Sequence, residues 1–245
     1  MSEGLGIKVA TELTSHEDIK IDTTDFIPHA ITSNDEFIQC FKYNLEGTET
    51  HILEPNPIVI YFNSAQGFLS DTNNFRNTLF DVLLKEKDKY YIGNMMNAVY
   101  AFYISASNLI TSLMCSMEAF INSKIPIDFT IIISVNGERV EYDKYKTLRY
   151  MNFKDKIKLA LPKVYDGKNF AKEKSHLFDN IKKIEHLRNN MIHTKPNLDY
   201  DVNYYDALYT EALNFDYTKA MNSAKEFINY YEDNLIEPCD CGKDH

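Results

Sequence analysis

Residues 94 to 117 contain no charged side chain. So long an uncharged run must be covered by other apolar surface, and it constrains the fold more than any other feature. A membrane span needs about 20 predominantly apolar residues, and the run is long enough. However, Ser105, Ser107, Asn108, Thr111, Ser112 and Ser116 interrupt it, and no aromatic and lysine belts flank it. It is therefore read as a helix over residues 91 to 124 with no membrane partner. It lies in the middle of a bundle or across an interface between two copies, and Pro126 closes it. Glu118 is its only charge before Lys124, and Asn122 lies one turn further along the same face. A buried carboxylate requires a cation or hydrogen-bond donors. Arg188 is the candidate partner, and the alternative is a Glu118 that points to solvent at the helix end.

The chain around this helix is that of an ordinary globular protein. Its 245 residues, 44% hydrophobic and 25% charged, allow one large domain or two small ones. No secretory signal is visible at the N-terminus. Cys40, Cys115, Cys239 and Cys241 do not form a disulfide framework and fit a reducing cytoplasm.

The first part of the chain reads as strand and loop. Residues 6 to 13 and 18 to 24 alternate apolar and polar positions, as half-buried strands do. Pro55-Asn56-Pro57 reads as a turn, and Ile58-Val59-Ile60-Tyr61-Phe62 as a short buried strand. His16, His29 and His51 are isolated surface or loop residues. Helical patterning starts near Asn73 and runs to Lys87, which places a boundary at residues 66 to 72. After Pro126, an isoleucine-rich run over residues 129 to 135, the dipeptide Asn136-Gly137, and residues 138 to 142 predict a β-hairpin. Helices follow over residues 153 to 161, from 173 to the proline at 196, and over 206 to 234. Tyr165-Asp166-Gly167-Lys168 is the loop between the first two.

The chemistry concentrates in Glu185-His186-Leu187-Arg188-Asn189-Asn190-Met191-Ile192-His193-Thr194-Lys195-Pro196. Leu177, Ile181, Ile184, Leu187 and Met191 repeat at the spacing of one buried helical face, and Pro196 ends the helix. Asn189 and His193 are an i, i+4 pair on one side, whereas Arg188 lies roughly 140° away from His193 on an ideal helix. An arginine fork suits phosphate oxygens, a histidine moves a proton near neutral pH, and Asn189 can orient either. The bland alternative is a pair of cations that complement the helix C-terminus.

Arg188, Asn189, three further residues and His193 resemble the signature of the HEPN superfamily (higher eukaryote and prokaryote nucleotide-binding domains). Leu113-Met114-Cys115-Ser116-Met117-Glu118-Ala119-Phe120-Ile121-Asn122 looks like the first bundle helix of that family. Tyr150-Met151-Asn152-Phe153-Lys154-Asp155-Lys156 is similar to its connecting helix. The resemblance covers residues 91 to 235. It implies an α+β chain: a mainly α-helical HEPN-like bundle with an inserted β-hairpin, preceded by a small β-rich N-terminal region. The division is then 1–70, 71–236 and a tail, 237–245.

The resemblance further implies a metal-independent endoribonuclease in a bacterial toxin or antiviral setting. It would act as a cytoplasmic homodimer with two motifs facing each other, with an antitoxin as a further partner. Arg188, Asn189 and His193 would be catalytic, and Glu118, Asn122 and Asn190 supporting. The alternative is a non-catalytic module that binds a nucleotide or a protein such as a nucleotidyltransferase.

Charge distribution agrees with RNA as partner. The whole chain carries −10, yet residues 144 to 195 hold 14 Lys and Arg against 5 Asp and Glu. A solvated lysine-rich face would give the same count. The tyrosines at 200, 204, 205, 209, 217, 230 and 231 either stack bases or pack on the bundle, and packing is favoured. At the C-terminus, Cys239, Cys241 and His245 are zinc-ligand types with Gly242 between them. They resemble half of a Cys-x-Cys tail motif, and three ligands leave a structural zinc site open. Catalysis itself needs no metal in this reading.

Overall fold

The computed structural model describes residues 20–22, 29–31, 37–85, 92–135, 137–195 and 205–237. The strands expected at residues 6–13, the connector at 198–204 and the Cys239, Cys241 and His245 tail lie outside these residues. The described chain is mainly helical, with two small antiparallel sheets. β1 (Lys20–Asp22), β2 (His29–Ile31), β3 (Phe37–Leu45) and β4 (Thr48–Leu53) form an up-and-down sheet in sequence order. His29 and His51 therefore sit in strands rather than loops. Glu46 and Gly47, both at positive φ, close the β3–β4 hairpin, and the Asn44 side chain accepts the Gly47 N–H at 2.7 Å.

α1 runs from Pro57 to Lys85 and corrects the expectation of a strand at residues 58–62. Those residues are its first turns, and no break occurs at 66–72. Asn56 caps the helix by accepting the Ile58 N–H at 3.0 Å, and Pro57 occupies the first helical position, where its missing N–H has no intrahelical partner to lose. Ile58, Phe62, Ala65, Leu69 and Thr72 are buried, a stripe of helical period. A short apolar run fits a buried strand and a buried helical turn equally well, and here the cap decides.

α2 (Ile92–Lys124) is the central element. By length and composition it alone among the described residues could cross a membrane. Here Phe102, Leu109, Ile110, Leu113, Met114, Met117 and Phe120 are fully buried in the bundle core. The hydroxyls that interrupt its apolar run join it to α1. Thr72 Oγ1 donates to Ser105 Oγ at 3.0 Å, Ser64 and Ser112 meet at 3.1 Å, and Ser116 donates to the Ile58 carbonyl at 2.8 Å. These small side chains let the two helices pack closely without leaving buried polar groups unpaired.

The hairpin falls where expected, β5 (Thr130–Val135) pairing with β6 (Glu138–Asp143), with Gly137 at positive φ. The next helices are short: α3 (Lys144–Tyr150), α4 (Phe153–Asp155), a π-helical segment (Lys156–Ala160) and α5 (Leu161–Val164). Asp166 and Gly167, at positive φ, turn the chain into α6 (Phe170–Glu173). α7 (Ser175–Ile192) buries Ile181, Ile184 and Leu187, the face expected.

The last helix is two helices, α8 (Asp206–Asn214) and α9 (Tyr217–Tyr231). Asp216 breaks the run because its carboxylate caps α9, accepting the Lys219 N–H at 2.9 Å. Tyr217 and Tyr231 are core residues, in keeping with packing rather than base stacking.

Candidate functional site

α7 ends at Ile192, four positions before Pro196. His193 is its C-cap, φ −104° and ψ 48°, and its N–H still bonds the Asn189 carbonyl at 2.9 Å. The Thr194 hydroxyl donates to the Met191 carbonyl at 2.9 Å. The last turn therefore remains helical through Ile192 and exposes the His193 side chain.

Arg188 leaves the helix on the side of α2. Its Nη1 donates to Asn189 Oδ1 at 2.9 Å, and its Nη2 lies 3.9 Å from Glu118 Oε1. Glu118 therefore faces the expected cation rather than open solvent. Both side chains are partly exposed, so this pair contributes about 1 kcal/mol at most. Arg188 Nε is buried and has no hydrogen-bond partner. Cys115, one turn before Glu118 on α2, senses the same pair. Burial pushes its thiol pKa up, the Glu118 carboxylate adds to that, and the Arg188 guanidinium pulls the other way.

Asn122 extends the network to a residue outside the expected site set. It accepts from Lys156 Nζ at 3.2 Å, and the same ammonium donates to the Leu148 carbonyl at 2.8 Å. Lys156 is buried at the start of the π-helical segment, and burial lowers its pKa against the opposing pull of Glu118. A single π-turn inserted in a helix often marks a functional position.

On the other side of α7 a cleft of about 650 Å³ opens, lined by His186, Asn189, Asn190, His193 and Lys195 and, from α8, by Ala207, Leu208 and Glu211. Such a volume is that of a site for a small organic ligand. The cleft gathers Asn189, Asn190 and His193 of the expected set and adds His186 and Glu211. It does not include Arg188, as the helical angle between Arg188 and His193 implied, and Asn189 is the link between the two sides. Tyr103 fixes the α8 wall: its hydroxyl donates to the Tyr209 carbonyl at 2.8 Å and the two rings lie 4.6 Å apart. His186 was visible in the sequence as the residue one turn before Asn190 and two before His193. Glu211 had no such signal, because only the fold brings α8 to α7.

Among the described residues, no group of three or more His, Cys, Asp or Glu is placed to hold a metal ion. No family model, curated protein or solved structure matches the chain.

Proposed function

We propose that the chain is a metal-independent endoribonuclease of HEPN type. The observation that carries this reading is the corner at the end of α7. Asn189 accepts from Arg188 through its side chain and from His193 through its carbonyl, and it opens onto the cleft with His193. The ring of His193 abstracts the proton of a ribose 2′-OH, which attacks the adjacent phosphorus. Arg188 supplies fixed positive charge to the pentacoordinate phosphate. The products are a 2′,3′-cyclic phosphate and a 5′-hydroxyl, and DNA, which lacks the attacking group, is not cut.

Since Arg188 turns away from its own cleft, pairing of two copies brings it to a phosphate held by a second chain. The face of α2 that runs back from Glu118 suits such pairing, because it is uncharged and exposes Tyr100 and Ile104. The setting that goes with this reading is a bacterial cytoplasm, with the enzyme acting as a toxin or antiviral effector and held in check by an antitoxin.

The engagement of Arg188 by Glu118 favours a second reading. It describes a module that binds a nucleotide or a partner such as a nucleotidyltransferase and leaves RNA intact. End-labelled RNA incubated with the protein in EDTA separates the two. Cleavage to cyclic-phosphate ends, lost in His193→Ala and Arg188→Ala, supports the nuclease. Equal cleavage by all three proteins rejects the site, and no cleavage by the wild type supports the binding module.

A further inference from the structure

The cleft contains two histidines, and the reaction proposed above moves two protons. We infer that His186 is the general acid that protonates the leaving 5′-oxygen, with His193 as the base. This inference rests on the nuclease reading and assigns its second proton within one chain.

The geometry comes from α7 itself. Seven residues make nearly two full turns, so His186 and His193 share a face, separated by about 10 Å of helical rise. Both residues line the same cleft, with Asn189 and Asn190 between them in the chain. A phosphodiester bound between them would have an imidazole on either side, one for each proton.

His186 is also tied to the α8 wall of the cleft. Asn190 Nδ2 lies 3.0 Å from His186 Nε2 and donates to Glu211 Oε2 at 3.4 Å, and Glu211 Oε2 is 3.8 Å from the same ring nitrogen. In the neutral ring Nε2 accepts from the Asn190 amide, which places the ring's proton on Nδ1; in the doubly protonated ring Nε2–H faces Glu211 instead. Glu211 also gives the ring a counter-charge when it carries two protons. The His193 side chain is exposed at the helix end.

The step balances as follows. The 2′-oxygen forms a bond to phosphorus and gives its proton to His193. The bond from phosphorus to the 5′-oxygen breaks, and that oxygen takes the proton of the His186 imidazolium. Exchange with solvent returns both rings to their starting states, and no oxidant, metal or other reactant enters.

The test compares an ordinary RNA with one in which sulfur replaces the 5′-bridging oxygen at the cleaved position. Sulfur leaves as a thiolate and needs no proton. On ordinary RNA, His186→Ala is expected to lower the rate by about 10²-fold or more. On the sulfur substrate it should approach the wild-type rate, while His193→Ala stays inactive on both. Glu211→Gln, which keeps the ring, should show a smaller loss that sulfur also removes. The assignment is overturned if His186→Ala cleaves ordinary RNA normally, or if sulfur restores His193→Ala instead. It is equally overturned if His186→Ala, with an unchanged thermal melt, stays inactive on both substrates. A wild-type protein that cleaves neither substrate removes the nuclease reading, and this inference with it.

Discussion

Arg188 donates to Asn189 through Nη1 and Oδ1 at 2.9 Å, so two adjacent motif residues are joined although the helix points them to different sides. Asn189 thereby fixes the guanidinium, and it also lines the cleft. Asn189→Ala removes this restraint and keeps both reacting groups. Cleavage should fall by roughly fivefold, as expected when one positioning hydrogen bond of about 1 kcal/mol is lost. Asn189→Asp should retain more activity, since a carboxylate still accepts from Arg188. Single-turnover cleavage rates of the two variants decide this, and equal losses would exclude a positioning role.

Cys115 reports on the neighbouring ion pair without RNA. Its pKa is raised by burial and by Glu118 and is lowered by Arg188. In a background with Cys239 and Cys241 changed to serine, Glu118→Gln should bring the apparent thiol pKa down. Arg188→Ala should take it up. Rates of alkylation across pH measure it, and shifts of the opposite sign would mean the two side chains do not face Cys115.

Glu232 offers a pH-dependent contribution far from the cleft. Its carboxylate accepts from Tyr165 Oη at 2.7 Å and lies 3.1 Å from Lys124 Nζ; the tyrosine is the larger cause of its lowered pKa. A carboxyl whose folded pKa is depressed stabilises the protein above its unfolded value, ordinarily 4.5, and loses that contribution as pH falls through the folded value. The wild type should thus melt higher than Glu232→Gln near neutral pH. The gap should shrink below pH 4.5 and close once both states are protonated. Tyr165→Phe should narrow it at neutral pH. A gap that is constant with pH would exclude the carboxylate as its source.

The start of α1 depends on its cap. Asn56→Ala removes the acceptor of the Ile58 N–H and should destabilise by about 1 kcal/mol. For a chain of this size that corresponds to about 2–4 °C in melting temperature. Asn56→Asp should stay close to wild type.

These sites show where sequence pattern suffices. α2, α7 and the β5–β6 hairpin were legible, because long periodic runs and an Asn-Gly turn each admit one local structure. Ile58 to Phe62 was not, since five consecutive apolar residues suit a strand or a helix until Asn56 is recognised as a cap. Asp216 hid the α8–α9 break in the same way, as a polar residue within a plausible helix. The angle between Arg188 and His193 on a helix was likewise legible, and the structure directs them to different sides of α7. Lys156 and Glu211 became visible only through packing, because their partners, Asn122 and His186, are distant in sequence.

The exposed face of α2 makes a prediction about assembly. Tyr100 and Ile104 are 60% and 61% exposed on the uncharged helix that continues to Glu118. Two copies meeting there would bury apolar surface around a twofold axis, the usual symmetry of a small oligomer. Ile104→Glu places a charge in that interface and touches little else in the monomer. The wild type should have twice the 28.5 kDa mass of one chain in light scattering, and the variant one. Cleavage by the variant should fall with dissociation and recover as protein concentration rises, since association follows mass action. Its melting temperature at low concentration should match that of dissociated wild type. A wild-type protein that is monomeric at every concentration while cleaving RNA would show that Arg188 serves its own chain, and that α2 pairs with nothing.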